Sequence, residues 1–228
     1  MSFLGRYYRT YALDFWGFGE SGKKRETYAV QDFVSLVDQF MDQLGIIKAP
    51  LVGHSMGGTV SLSVAIRFPE RVSKVVVVGA PIAGSSLAFP LKLAGYRPIA
   101  YLLFNMMGLF RLGVRVASPI ICRDPRFPDM MDRDLSRTTL ESFLLSIASL
   151  RRTDLRPLLN KIKVPVLGMY GNKDTIVHPM QYKPLAAGVE HSFTERFPTA
   201  GHFIMLEEPE LFQQKLKQFL DGGTGLDE

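Results

Sequence analysis

The stretch Gly53-His54-Ser55-Met56-Gly57 fits the pattern GxSxG, which sets a serine on a sharp turn between a strand and a helix. Such a turn lifts the hydroxyl above a sheet, and glycines on both sides let the backbone adopt the strained geometry. The chemistry this serves is acyl transfer, with the following N–H turned toward a developing oxyanion. A serine hydroxyl is a weak nucleophile near neutral pH, so it needs a base, and the base needs a third group to fix its tautomer. Four histidines are available. His54 lies inside the turn, where its direction along the strand does not let it act as base, and His178 and His191 sit in loops without a glycine-marked setting. His202, in Ala200-Gly201-His202-Phe203, lies after the last expected strand and before the last helix, where open α/β folds gather catalytic groups. Asp174, in Gly171-Asn172-Lys173-Asp174, follows the preceding strand and so falls on the same edge. The expected set is Ser55 as nucleophile, His202 as general base and Asp174 as the acid that orients it. The competing readings are an idle serine in a glycine-rich turn, a surface-loop histidine and a turn aspartate.

These residues need a sheet with helices on its faces. Residues 7–15 read as a strand running into the glycine-rich turn 16–22. Val30, Phe33, Val34, Val37, Phe40, Met41 and Leu44 then share one helical face, and Gly45 stops that helix. Leu51 and Val52 form an apolar strand end, and residues 57–68 read as a helix closed by Pro69. Val75 to Val78, bounded by Gly79 and Pro81, reads as a strand buried on both faces. The alternation pauses over 84–160, which is helical and loop-like and includes a helix-like run at 135–150. Strands at 164–171 and 193–197 and a helix at 209–220 complete the chain, with a tail after Asp221 that reads as disordered. The fold class is therefore α/β, a mostly parallel sheet flanked by helices. The expected division is a core of residues 1–80 and 161–228 with a helical cap insertion at 81–160. Phe89, Leu93, Leu102, Leu103, Phe104, Met106, Met107 and Phe110 would line the space beneath that cap or pack on one another.

A chain of 228 residues with 46% hydrophobic and 21% charged residues suits one globular domain and excludes disordered, collagen-like and disulfide-scaffold classes. Its one cysteine, Cys122, has no internal partner, and no Cys/His cluster has metal-ligand spacing, so no metal or cofactor is expected. The net charge of +5 is concentrated in the insertion, where 11 Lys and Arg stand against 6 Asp and Glu. That excess reads as a solvated face, or less strongly as a membrane-facing one; no motif points to nucleic acid. The apolar stretch 99–110 is short of the roughly 20 residues that span a bilayer. No basic segment followed by an apolar one opens the sequence, and a cytoplasmic location is the expectation.

The chain order Ser55, Asp174, His202 resembles that of the α/β-hydrolase superfamily. The turn Asp14-Phe15-Trp16-Gly17-Phe18-Gly19-Glu20-Ser21, the acid-bearing segment 164–174 and Gly201-His202 are similar to segments of that family. The resemblance covers nearly the whole chain outside the insertion. It implies that the Met56 backbone N–H is one oxyanion donor, and that the serine acts on esters, thioesters, amides or activated carbon–carbon bonds, first of all a carboxylic ester; with the apolar residues of the insertion, the expectation is a small to medium apolar acyl substrate cleaved through an acyl-enzyme. A C–C bond hydrolase and an impaired scaffold that only binds a ligand or partner are the alternatives. Family members usually carry three strands before the one expected at 7–15, and an HG-type loop with a second oxyanion donor. Neither is present in this sequence. The expectation is a gap between the strands at 7–15 and 51–52, or direct pairing of the two.

Overall fold

The computed structural model describes residues 2–23, 27–94 and 107–222. Four strands, β1 (Ala49–His54), β2 (Val72–Val78), β3 (Val166–Gly171) and β4 (Ser192–Phe197), form one parallel sheet in the order β1-β2-β3-β4. The helices are α1 (Val30–Gln43), α2 (Met56–Arg67), α3 (Phe89–Ala94), α4 (Met107–Ile121), α5 (Phe127–Ser136), α6 (Leu140–Arg152), α7 (Tyr182–Gly188), α8 (Ile204–Glu207) and α9 (Pro209–Leu220).

The valine run of β2 explains the layering. Alternate side chains leave opposite faces of a strand. Val75 and Val77 join Phe33 of α1, Leu62 of α2 and Ile147 of α6 in one cluster. Val76 and Val78 join Ile204 of α8 with Leu216 and Phe219 of α9 in the other. Both faces are covered, which is why the strand reads as continuous apolar sequence. α1 starts where Asp32 accepts the Ala29 N–H at 2.7 Å, and it ends at Gly45, whose φ is +65°.

Between β2 and β3 the described chain is helical, and α6 belongs to the main core: Ile147 and Leu150 pack in the β2 cluster, and Ser149 Oγ accepts the Val30 N–H at 3.0 Å. The helix expected at 135–150 is instead two. The break falls at Arg137 to Thr139, where Thr139 Oγ1 accepts the Ser142 N–H at 3.1 Å and starts a new helix as its N-cap. Of the residues expected beneath a cap, Leu102, Leu103, Phe104 and Met106 lie outside the described residues, as does the tail 223–228.

The strand expected at 7–15 is not formed. Leu4–Arg6 is a short 3-10 turn, and among the described residues 7–15 pair with no strand, β1 included. An extended segment becomes a strand only when a neighbour takes up its N–H and C=O groups, and among the described residues β1 is paired on one side, by β2. Aromatic contacts hold the segment to α1 instead: Tyr11 meets Phe40 edge-on at 5.9 Å, and Phe15 stacks on Phe33 at 4.6 Å. A groove of about 1470 Å³ lies along the open side of β1, lined by Tyr11, Leu13, Phe40, Leu51, Val52 and Leu216 among others. The expected glycine turn is present, with Gly17 at φ +86° and its carbonyl accepting from Ser142 Oγ of α6 at 2.9 Å.

Candidate active site

Ser55 is placed by β1 and α2. Its φ of +52° makes it the one non-glycine residue with positive φ among the described residues. That conformation is costly for a side-chain-bearing residue and persists where the surroundings enforce it. Here the Ser55 N–H donates to Val78 O of β2 at 2.8 Å, while Ser55 O accepts from the N–H groups of Gly58 and Thr59 in α2. Two glycines permit the close strand–helix approach. A Cβ at Gly53 would lie 2.2 Å from Gly57 O, and one at Gly58 would lie 2.5 Å from the Ala80 Cβ. Gly57 is different: a Cβ there meets nothing within 4 Å, so the second glycine of the GxSxG pattern is not the one sterics demand. Met56 is the first residue of α2, so its N–H is among those with no acceptor inside the helix.

Asp174 and His202 meet at the same carboxyl edge. Asp174 Oδ2 and His202 Nδ1 are 2.7 Å apart, with side chains 2% and 3% exposed. The other oxygen, Oδ1, accepts the N–H groups of Ile176 and Val177, each at 2.8 Å, which fixes the carboxylate from behind. A carboxylate at Nδ1 requires a proton on that nitrogen and leaves Nε2 free to accept one. Gly79 completes the seat. It follows β2 with φ +56°, and a Cβ on it would come within 3.1 Å of His202 Nδ1 and 3.4 Å of Asp174 Oδ2. Among the described residues no hydrogen bond joins Ser55 Oγ to His202. Such contacts commonly tighten only once substrate is bound.

Residues 2–209 match the family model described as serine aminopeptidase, S33. The chain belongs to the α/β-hydrolase superfamily. Among curated proteins, this hydrolase is similar to 2-hydroxy-6-oxononadienedioate/2-hydroxy-6-oxononatrienedioate hydrolases. The Klebsiella pneumoniae protein is 30% identical over 93% of this chain and 76% of its own length, and the Paraburkholderia phymatum protein 30% identical over 96% and 78%. Among solved structures, an esterase from Exiguobacterium antarcticum superposes with a TM-score of 0.76 at 23% identity, covering 92% of this chain and 80% of its own. A meta-cleavage product hydrolase from Pseudomonas fluorescens gives 0.76 at 22%, covering 96% and 82%. Those two structures speak for the fold.

His54 is the residue whose part in the site the sequence concealed. It sits beside the serine, as expected, with its ring turned to the histidine loop. Its Nε2–H donates to the His202 carbonyl at 3.0 Å, and the two rings lie 4.6 Å apart. Burial, then the neighbouring His202, push its pKa down from 6.5 to about 3, so it is a neutral donor at physiological pH. His178 and His191 are exposed, and the His178 ring accepts the Met180 N–H of its own turn. No group of three or more His, Cys, Asp or Glu with metal-holding geometry occurs among the described residues, and none of their helices is long and apolar enough to cross a membrane.

Proposed function

We propose that this α/β hydrolase cleaves carboxylic esters of small to medium apolar acyl groups through an acyl-enzyme on Ser55. The observation that supports it most is the buried 2.7 Å hydrogen bond between Asp174 and His202, on the sheet edge where Ser55 stands on its strained turn. Ser55 Oγ attacks the ester carbonyl carbon and its proton passes to His202 Nε2. The Met56 N–H receives the oxyanion. Collapse expels the alcohol, which takes the proton back from His202. A water, activated by the same nitrogen, then releases the acid and restores the serine. Asp174 stabilises the imidazolium formed in each half.

The lining favours an apolar acyl group. Met56, Leu87, Leu91, Phe143, Ile147 and Leu150 border the groove that Ser55 also lines, and among the described residues the only Lys or Arg along it is Arg9, which is exposed and lies against Tyr11. Burying carboxylates among such residues without a cation is costly. The names of the curated relatives favour a second reading, hydrolysis of a C–C bond in a dienedioate. One experiment separates them: turnover of 4-nitrophenyl butyrate and of a 2-hydroxy-6-oxo-dienedioate, side by side, with fluorophosphonate labelling of Ser55. Ester turnover with labelling is the expected result. Dienedioate turnover alone would replace it with the second reading, and an unlabelled, inert protein would overturn both.

A further inference from the structure

The loop that carries His202 is tied down at several points. Lys173 N–H donates to Ala200 O at 3.0 Å, which ties it to the loop of Asp174. His54 holds the His202 carbonyl. A further tie comes from Glu207, the last residue of α8, whose side chain is 3% exposed. One of its oxygens, Oε2, accepts the Gly201 N–H, one residue before His202. The other, Oε1, accepts from Arg123, through its backbone N–H at 3.0 Å and its Nε at 3.1 Å. Arg123 follows α4 by two residues and reaches back into the same loop, donating from Nη2 to Thr199 O at 2.6 Å. Gly201 is thereby wedged: a Cβ on it would sit 3.2 Å from both Glu207 Oε2 and Ile121 O of α4.

Resting on the catalytic reading above, we infer that Glu207 is a positioning residue for His202 and that Arg123 couples that position to the helical insertion. The carboxylate is shared between the base's loop and the end of α4, so a displacement of α4 is passed to Gly201 and hence to the imidazole. A base shifted by about 1 Å loses on the order of a hundredfold in rate, since proton transfer depends on the alignment of Nε2 with the serine. The contacts thus make the placement of α4 a condition for a correctly aimed base. Glu207 never touches the reacting atoms.

The test compares wild type with Glu207→Ala, Glu207→Gln, Arg123→Ala and the double alanine variant, using one aryl ester. It measures kcat, KM, the fluorophosphonate labelling rate at Ser55 and thermal midpoints. Glu207→Ala is expected to lower kcat and the labelling rate together by about 10 to 100-fold while KM changes less than about threefold. Glu207→Gln, which keeps an acceptor for Gly201, is expected to recover most of that loss. Arg123→Ala should cost a smaller factor, and the double variant less than the product of the two single losses, because Arg123 acts in part through the same carboxylate and in part on the same loop at Thr199. An unchanged kcat in folded Glu207→Ala overturns the inference, and so does a strictly multiplicative double variant. If Glu207→Ala fails to fold, Arg123→Ala decides, its side chain being 55% exposed: unaltered kcat and labelling overturn the coupling. A wild type that neither labels nor turns over ester fails the catalytic reading instead, before any variant is compared.

Discussion

β3 and β4 end in loops whose polar groups are engaged with one another, whereas β1 ends in a serine whose hydroxyl faces a groove. On the first side, Asp174 spends both oxygens on His202, Ile176 and Val177, and His202 is held through its ring and its carbonyl. On the second, Ser55 is fixed through its backbone, the outer edge of β1 has no strand beside it among the described residues, and Val52 is 45% exposed. The difference teaches where preorganisation resides. In the proposed mechanism Asp174 and His202 need no substrate to find each other, while Ser55 is held by its strained backbone beside an open groove.

Substitutions on each side break or sharpen that contrast. Ser55→Ala is expected to remove ester turnover by a factor on the order of 10⁴ while leaving the fold intact; more than about a tenth of wild-type activity would transfer the nucleophile elsewhere. Asp174→Asn should come close behind, at about 10⁴ in kcat. The amide oxygen can still accept from Ile176 and Val177, so circular dichroism should be unchanged while the acyl-enzyme burst slows. An unchanged burst would mean that another carboxylate orients His202.

The backbone of the serine turn gives a smaller effect, read in stability. Gly53→Ala forces a Cβ against the Gly57 carbonyl and should lower the unfolding free energy by about 1 to 3 kcal/mol in urea titrations. Gly57→Ala, with open space around it, should not destabilise and is expected to gain a few tenths of a kcal/mol. Equal losses at both would show that the turn is not packed as described.

His54 joins the two sides, and its titration gives the mildest effect. Its folded pKa of about 3 lies below its usual 6.5, so between those values the unfolded state binds more protons than the folded one. Stability from this group is fully present above about pH 6.5 and falls as pH drops toward about 3, with a slope of at most about 1.4 kcal/mol per pH unit. Depressed carboxylates such as Asp124, held low by Arg126, add to the same trend, so the comparison is with His54→Phe. Wild-type denaturation midpoints measured from pH 4 to 7 should rise more steeply than the variant's; parallel curves would mean that folding does not lower the His54 pKa.

Much of this was legible from residue types. The β-branched run of β2, the helical face of α1 and the glycine-serine turn each carried a local cause that survives in the fold. The strand at 7–15 misled because its sequence has strand character and its neighbour is what decides: without a ladder partner, propensity yields an aromatic-anchored segment. The single helix at 135–150 misled because Thr139 caps a second one. Glu207 and Arg123 lie 84 residues apart in the chain, and nothing in either's surroundings in the sequence marks them as partners.

Cys122 stands between α4 and Arg123, and it turns that junction into something that can be timed. Cys122 is 3% exposed, and burial pushes its thiol pKa up, so in the closed molecule it is both hidden and poorly nucleophilic. It reacts with a thiol reagent only when the junction opens. With one cysteine in the chain, the alkylation rate under native conditions reports how often α4 parts from the histidine loop, a property of local opening equilibria rather than of the average structure. The single cysteine therefore reports how readily the junction between α4 and the histidine loop opens.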